Sequence, residues 1–150
     1  MSNQVLDAYR LLIADVYELA GASRATSEGI ARRYGRTAAQ WHVLSVVSEA
    51  EMTVSAVARR LGLSRQAVQR VVNDLLDSDQ LSARPNPDDR RAPLVAPTPE
   101  GTSTLQQLFD ASDADRADLL RQAGVRREDL LQARSTLQRV IGAYRPAKPD

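Results

Sequence analysis

Residues 53–76 read TVSAVARRLGLSRQAVQRVVNDLL, and this stretch decides the fold. Thr53 and Ser64 each stand immediately before an apolar helical pattern, in the position where a hydroxyl group caps a helix. Gly62 lies between the two patterns and supplies the backbone freedom that a sharp reversal needs. The stretch therefore predicts a helix-turn-helix. Its two helices are expected over residues 54–61 and 65–78.

The second of these helices has two chemically different faces. Its apolar side chains would pack inward, at Val68, Val71, Val72, Leu75 and Leu76. Its polar positions recur at i, i+3, i+4 and i+7 and so form one outward stripe. They are Gln66, Gln69, Arg70 and Asn73. Amide side chains pair with adenine, and arginine pairs with guanine or phosphate, so the stripe predicts contacts in a DNA major groove. The alternative is an ordinary amphipathic surface helix, which more often alternates Glu with Lys.

The positive charge of this region is local. The whole chain has a formal net charge of +1, but residues 53–73 contain no Asp or Glu and carry Arg59, Arg60, Arg65 and Arg70. Because binding follows the local field, the stretch predicts an anionic partner. The free N–H groups at residues 64–66 also suit a backbone phosphate. The alternative is a solvated surface that happens to be rich in arginine.

Residues 81–98, LSARPNPDDRRAPLVAPT, predict a β-hairpin after the second helix. Its extended segments are expected at 81–84 and 92–98. Arg90 and Arg91 stand at the end of the turn, where a guanidinium group is able to enter a narrow minor groove. We expect Asp89 to hold the guanidinium of Arg91 by a charge-assisted hydrogen bond. A mixed-charge exposed loop is the alternative, but the place directly after a helix-turn-helix favours a wing.

The remaining chain is predicted to be helical, which gives a mostly α fold with a small β-hairpin wing. Thr37 and Gln40 form a capping box that begins a helix ending near Glu49. A first helix is expected from Val5 to about Ala22, followed by a segment loosened by Gly21, Gly29 and Gly35. Another helical turn at residues 30–34 is the alternative within that segment. The last two helices are expected after Thr98 and from Glu128 to Tyr144, with Gly124 between them.

Three strings in order, TAAQWHVLSVV, LSRQAVQRVVNDLLDSDQL and NPDDRRAPLVAPTPEG, make the sequence recognisable. They closely resemble the multiple-antibiotic-resistance regulator (MarR) family of bacterial transcription factors, and the resemblance covers nearly the whole chain. The Asp-x-Arg tip at residues 89–91, with the TPEG that follows the wing, is its most specific part. The resemblance implies a homodimer whose two winged lobes bind a pseudo-palindromic operator, more often as a repressor than as an activator.

The resemblance also implies roles for particular residues. Arg91 corresponds to the arginine that enters the minor groove, and the recognition helix contacts DNA through Ser64, Arg65, Gln66, Gln69 and Arg70. Together with the residue pattern, this gives the expected DNA-binding set: Thr53, Ser64, Arg65, Gln66, Gln69, Arg70, Asn73, Arg90 and Arg91, with Asp89 supporting the wing.

The chain is expected to have three parts. Residues 1–36 would form an N-terminal dimerisation helix and connector, residues 37–98 the winged helix-turn-helix lobe, and residues 99–150 the C-terminal helices that complete the dimerisation domain. The apolar stripes of residues 5–20 and 130–144 are too long for the winged lobe alone to cover. Joining the terminal helices of two chains would bury them. Packing within one chain is the alternative.

Relatives in this family bind small, often aromatic or phenolic effectors in a cleft between the pairing helices and the winged lobe. The candidates for such a cleft here are Tyr9, Ile13, Tyr17, Trp41 and His42. For each of them, a place in the core or the dimer interface is the favoured alternative. His42 is the only histidine, and it has neither a cysteine nor a carboxylate four residues away to share a metal. We expect no catalytic residue, no metal and no cofactor, and hence no enzyme.

Composition narrows the class of protein further. The 150 residues are 43% hydrophobic, contain no apolar run long enough for a bilayer and lack the pattern of a secretory signal. With no cysteine, a disulfide or a thiol redox switch is excluded. We expect a cytoplasmic regulator that binds double-stranded DNA. Two alternatives stay open: a winged helix that binds proteins, with no steep salt dependence toward DNA, and a small-molecule binder or minor enzyme whose winged lobe is vestigial.

Overall fold

The computed structural model describes residues 3–145 of the chain. The expected terminal parts, 1–36 and 99–150, reach slightly further, and residues 1–2 and 146–150 lie outside the described residues. The elements in chain order are α1 (Asn3–Arg32), α2 (Ala38–Glu49), α3 (Val54–Leu61), α4 (Arg65–Asp77), β1 (Leu81–Arg84), β2 (Leu94–Pro97), α5 (Pro99–Gln122) and α6 (Arg127–Tyr144). The expected fold class, mostly α with a small β-hairpin, is confirmed.

The chain divides into two compact units, one up to Ser112 and one from Asp113 onward. The first unit contains the hydrophobic core. Its buried side chains come from α1 to α5 and include Ile30, Trp41, Leu44, Val47, Val57, Val68, Val72, Leu75, Leu81, Val95, Leu105 and Leu108. Trp41 lies fully inside and packs against Phe109, with ring centroids 6.4 Å apart. This core holds the helix-turn-helix and the hairpin together.

The start of α2 follows the sequence signal. The Thr37 hydroxyl accepts a hydrogen bond from the Gln40 amide N–H, and the Gln40 side chain accepts one from the Thr37 N–H, both at 3.1 Å. Glu28 of α1 adds a second acceptor, since its carboxylate receives the Ala38 N–H at 2.8 Å. A carboxylate at a helix N-terminus also faces the positive end of the helix dipole. The capping box is confirmed, and the hydrogen bond from Ala38 to Glu28 ties α2 to α1.

The first helix is longer than the sequence predicts. It runs without a break to Arg32, so the expectation of a loosened segment after residue 22 is wrong. A glycine inside a helix costs only about 1 kcal/mol relative to alanine. Burial of Ile30 and Ala31 in the core offsets that cost at Gly29. After Arg32 the chain leaves the helix through a turn at residues 33–35, in which Gly35 is left-handed with φ at 68°.

The hairpin pairs β1 with β2 in antiparallel register, Leu81 opposite Pro97 and Arg84 opposite Leu94. Met52, in the segment before α3, adds a bridge on the other side of β2, because it exchanges two backbone hydrogen bonds with Val95. The second strand begins at Leu94 rather than at residue 92. The Ala92 N–H bonds back to the Asp89 carbonyl and so belongs to the turn.

The junction of α4, β1 and α5 is closely packed. After α4 the chain passes through Asp79 in a left-handed conformation, with φ at 57°, and the Gln80 N–H returns to the Leu75 carbonyl. Thr98 caps α5 by accepting the Gly101 N–H at 3.0 Å. A Cβ atom at Gly101 would lie 2.0 Å from the Gln80 carbonyl oxygen. Only glycine therefore fits at this position.

The second unit contains the end of α5 and all of α6, separated by a turn at Gly124 with φ at 64°. No residue of α6 is buried. Large apolar side chains stand exposed in this unit, at Leu119, Leu130, Leu131, Ile141 and Tyr144. No helix within residues 3–145 is both long and apolar enough to cross a membrane.

Candidate nucleic-acid interface

The helix-turn-helix is built by the caps that the sequence contains. The Thr53 hydroxyl accepts the Ala56 N–H at 3.2 Å, and the Ser64 hydroxyl accepts the Ala67 N–H at 3.1 Å. Gly62 ends α3 in a left-handed conformation with φ at 65°, which glycine adopts without steric cost. Helix α3 therefore lies where the sequence predicts, and α4 begins at the expected residue and ends at Asp77, one residue before the expected end. The turn between them is tight.

The two faces of α4 are separated as the periodicity predicts. Val68, Val72 and Leu75 are buried in the core. All members of the polar stripe lie on the exposed face, together with the helix start; they are Ser64, Arg65, Gln66, Gln69, Arg70 and Asn73. Thr53, the cap of α3, is half-buried. The outward face of α4 thus offers amide and guanidinium groups to any partner that lies against it.

A hydrogen bond links two members of this stripe. The Gln69 amide donates through Nε2 to Oδ1 of Asn73 at 2.9 Å, one helical turn further along. Both side chains are exposed. The bond restricts the orientation of the Gln69 amide while leaving its oxygen and one N–H available.

The arginines of the helix-turn-helix and of the wing tip form no ion pair among the described residues. Among the ion pairs within residues 3–145, none includes Arg59, Arg60, Arg65, Arg70, Arg90 or Arg91. A guanidinium group without an acidic neighbour remains available to a phosphate or a base edge. The electrostatics of this surface favour an anion.

The wing is anchored by an ion pair between its first strand and the segment before α3. Arg84 donates from Nε and Nη2 to the two carboxylate oxygens of Glu51, each at 2.6 Å. This hydrogen bonding lowers the pKa of Glu51 and raises the pKa of Arg84. Both side chains remain partly exposed, so water and salt screen the pair. The pair fixes where the base of the hairpin lies relative to α3.

At the tip of the wing, Asp89 makes a different contact from the one the sequence predicts. The Asp89 carboxylate accepts the backbone N–H of Arg91 at 2.9 Å, and no ion pair of Asp89 with the Arg91 guanidinium occurs among the described residues. A short aspartate side chain reaches the N–H two residues ahead more easily than a distant guanidinium. Asn86 makes the same kind of turn with the Asp88 N–H at 3.0 Å. Asp89 therefore shapes the backbone of the tip and leaves the Arg91 guanidinium free of an acidic partner.

A small cavity joins the wing to the two helices. Its volume is about 70 Å³, and four predicted DNA-binding residues line it: Thr53, Arg65, Gln69 and Arg91. They come from the cap of α3, from α4 and from the wing. The other predicted residues, Ser64, Gln66, Arg70, Asn73 and Arg90, do not line it, and all of them are exposed. The structure thus brings the helix arginine and the wing arginine to one continuous surface.

The five candidates for an effector cleft occupy different environments. Trp41 is 1% exposed inside the core, whereas Tyr17 is 76% exposed on α1. Tyr9, Ile13 and His42 are half-buried. Within residues 3–145 there is also no group of three His, Cys, Asp or Glu residues placed to hold a metal. The effector cleft stays a prediction.

Sequence reasoning missed the anchoring role of Glu51 and Arg84. The two residues are 33 positions apart, and no periodic pattern connects them. The only signal is indirect: an acid stands just before the cap of α3 and an arginine ends the first strand of the hairpin. Pairing of Met52 with β2 brings the two together.

Comparison with known proteins identifies similar sequences and folds. The model of the MarR family matches residues 34–92. The uncharacterised protein Mb2034c of Mycobacterium bovis is 42% identical over 146 residues, which cover 95% of this chain and 99% of that protein. A crystal structure of a MarR mutant from E. coli complexed with operator DNA is 22% identical, with a TM-score of 0.62 and coverage of 92% and 96% of the two chains. The transcriptional regulator BldR from Sulfolobus solfataricus is 18% identical, with a TM-score of 0.68 and coverage of 89% and 96%.

Proposed function

The chain belongs to the MarR family of transcription regulators, and from that premise we propose that it is a homodimeric, sequence-specific repressor of transcription. Two winged lobes, one from each protomer, would bind the two halves of a pseudo-palindromic operator in the cytoplasm. One observation carries the proposal: the amide and arginine stripe of α4 faces outward, beside wing arginines that have no acidic partner among the described residues.

The outward face of α4 fits the role of a recognition helix. A major groove is wide enough to admit an α-helix, and the residues near the helix N-terminus contact the base edges. Arg65, Gln66, Gln69 and Arg70 occupy the first two turns of α4. Their guanidinium and amide groups supply the bidentate pairs that distinguish guanine and adenine from other bases.

The wing would add contacts outside the major groove. Arg90 and Arg91 are exposed at its tip, and a guanidinium is attracted by the negative potential of a narrow minor groove. The bond between Asp89 and the Arg91 backbone supports this role by shaping the turn without neutralising the guanidinium. A minor-groove contact of this kind adds affinity and responds to the width of the groove rather than to individual base edges.

Dimerisation is proposed from exposed apolar surface on the terminal helices. On α1, Leu11, Tyr17 and Leu19 are each at least 68% exposed, and α6 has no buried residue at all. Exposed apolar surface of this extent marks an interaction site. A second copy of the chain is the proposed occupant, since a twofold dimer also supplies the second recognition helix.

A small effector would release the operator by stabilising a different spacing of the two recognition helices. Such a ligand acts only if it binds the incompetent conformation more tightly than the competent one. Titration of aromatic and phenolic compounds into a protein–DNA complex tests this part of the proposal. If no member of a broad panel lowers DNA affinity, the protein is a constitutive binder instead.

Selection of duplexes from a random pool, followed by sedimentation of the best complex, tests the function directly. We expect enrichment of an inverted repeat, bound by two protomers, with affinity that falls steeply as salt rises. A protein-binding module would enrich no sequence and would show little salt dependence. A single protomer per duplex would contradict the dimer.

A further inference from the structure

The hydrogen-bonded pair Gln69 and Asn73 on α4 points to the base that this protein reads, an inference that rests on the proposed function. We infer that Asn73 holds the amide of Gln69 in one orientation and that Gln69 then recognises an adenine in each half of the operator. Asn73 is in this account a positioning residue, and Gln69 is the residue that determines specificity.

The geometry of the pair decides which atoms Gln69 can present. Its Nε2 donates to Oδ1 of Asn73 at 2.9 Å, which uses one of the two hydrogens of the amide nitrogen. The oxygen Oε1 and the second hydrogen remain. We take the hydrogen that Asn73 accepts to be the one trans to Oε1, so that the free edge of the amide has an acceptor beside a donor. Both residues are exposed, so this edge of the amide is accessible to a partner.

Adenine is the base whose major-groove edge matches that arrangement. It offers the N6 amino group as a donor next to N7 as an acceptor, whereas guanine offers two acceptors. Cytosine offers a donor, and thymine offers an acceptor with a methyl group. A glutamine amide fixed with oxygen and N–H side by side therefore makes two hydrogen bonds to adenine alone.

Asn73 matters because a free amide is able to rotate by half a turn and exchange its oxygen with its nitrogen. Rotation of Gln69 alone would place its oxygen against Oδ1 of Asn73, where two acceptors repel each other. The observed bond opposes that rotation. A pair of this kind on an exposed helix face contributes little to the stability of the helix, so its main effect is on orientation.

The surroundings of Gln69 direct this amide toward DNA. Gln69 lines the cavity of about 70 Å³ together with Arg65 of α4 and Arg91 of the wing. Neither of these two arginines forms an ion pair within the described part of the chain. With the start of α4 and the wing both in contact with the duplex, the middle of the stripe, where Gln69 lies, would face the base edges of the major groove.

The inference is tested by measuring base preference in five proteins of the full chain: wild type, Gln69→Ala, Asn73→Ala, Asn73→Asp and a control variant. Duplexes are first selected from a random pool with the wild type, and affinities are then measured for all base pairs at each position of the selected site. Gln106→Ala is the matched control, because Gln106 makes an equivalent bond to Asp110 at 2.7 Å on an exposed part of α5.

We expect wild type to prefer adenine roughly ten- to hundredfold at one position of each half-site. Gln69→Ala should abolish the preference at that position alone. Asn73→Ala should lower it roughly three- to tenfold, because one orienting hydrogen bond is lost. Asn73→Asp keeps an acceptor and has no donor with which to form the reversed pair, so it should retain the preference although the added negative charge weakens binding to all sequences. Gln106→Ala should match wild type.

Replacing the preferred adenine with 7-deazaadenine, which lacks the N7 acceptor, gives a second measurement. We expect this base to weaken wild type but not Gln69→Ala. An unchanged base preference in Gln69→Ala would overturn the inference and leave the proposed function intact. The same holds if Asn73→Ala keeps the full preference for adenine, or if Asn73→Asp loses it. Failure of wild type to enrich any sequence would overturn the proposed function itself.

Discussion

Glu51 and Arg84 form a two-point ion pair that ties the first strand of the wing to the segment before α3, with both N···O distances at 2.6 Å. The neighbouring backbone bridge between Met52 and Val95 joins the same two parts of the chain. Side chain and backbone together therefore fix the base of the wing. The position of the wing arginines relative to α4 depends on this junction.

Replacing Glu51 with Gln is expected to lower the free energy of unfolding slightly at neutral pH and to weaken DNA binding. The pKa of Glu51 is lowered in the folded state by its hydrogen bonds with Arg84. The stabilisation is therefore fully present above the unfolded-state pKa of the carboxyl group and is lost as pH falls through the lowered value. Urea unfolding of wild type and Glu51→Gln over a range of acid pH checks this difference.

The control for that experiment is Asp7→Asn, which breaks an exposed ion pair with Arg10 on α1, far from the wing in sequence. It should leave DNA affinity unchanged. If wild type and Glu51→Gln differed in free energy of unfolding by as much in acid as at neutral pH, the assigned role of the ion pair would be contradicted.

Replacing Gly101 with Ala is expected to destabilise the fold by about 1–3 kcal/mol or more, because the new methyl group would overlap the Gln80 carbonyl oxygen at 2.0 Å. The obstacle is backbone, so no side-chain rotation relieves the overlap. Thermal or urea unfolding measures the loss. Gly21→Ala is the control, since Gly21 lies inside α1 with no atom within 4 Å of the added Cβ, and it should stabilise by up to about 1 kcal/mol. Equal stability of the two variants would show that α5 does not approach Gln80 so closely.

Replacing Asp79 with Gly is expected to raise the free energy of unfolding by up to about 1 kcal/mol. Asp79 adopts a left-handed conformation at φ 57°, which costs a residue with a Cβ more than it costs glycine. Asp77→Gly, inside the last turn of α4, removes the same charge at a helical position and should instead destabilise by about 1 kcal/mol. Urea unfolding midpoints that shift in the same direction for both variants would contradict the left-handed conformation of Asp79.

Replacing Arg91 with Ala is expected to weaken binding to all DNA sequences by about 1–3 kcal/mol and to reduce the salt slope by about one. The reason is the loss of one unneutralised guanidinium at the wing tip. Arg121→Ala removes an arginine from the end of α5, where it pairs with Asp118, and should leave the slope unchanged. Affinities measured across a salt series decide the matter, and equal slopes for Arg91→Ala and wild type would mean that the wing does not reach DNA.

Much of this fold follows from local chemistry that a sequence displays. The caps at Thr37, Thr53 and Ser64 and the turn at Gly62 each depend on residues within four positions of one another. The inward and outward faces of α4 follow from its periodicity. These features were predictable because short-range hydrogen bonds and helical spacing determine them.

The remainder depends on contacts between distant parts of the chain. Core burial of Ile30 and Ala31 keeps α1 helical beyond its internal glycines. The low helix propensity of those glycines predicts the opposite, because it takes no account of burial. The ion pair of Glu51 with Arg84 depends on the strand bridge at Met52, which brings two segments distant in sequence together. Asp89 was expected to bind the guanidinium of Arg91, but its carboxylate accepts the nearer backbone N–H of Arg91 instead.

Dimethyl sulfate protection of the selected duplex tests most directly the central claim that α4 enters the major groove. The reagent methylates N7 of guanine in the major groove and N3 of adenine in the minor groove. The account predicts protection of N7 in two successive major grooves on one face, about 34–36 Å apart, and protection of N3 beside them that Arg91→Ala removes. Full methylation of N7 throughout the bound duplex would contradict it.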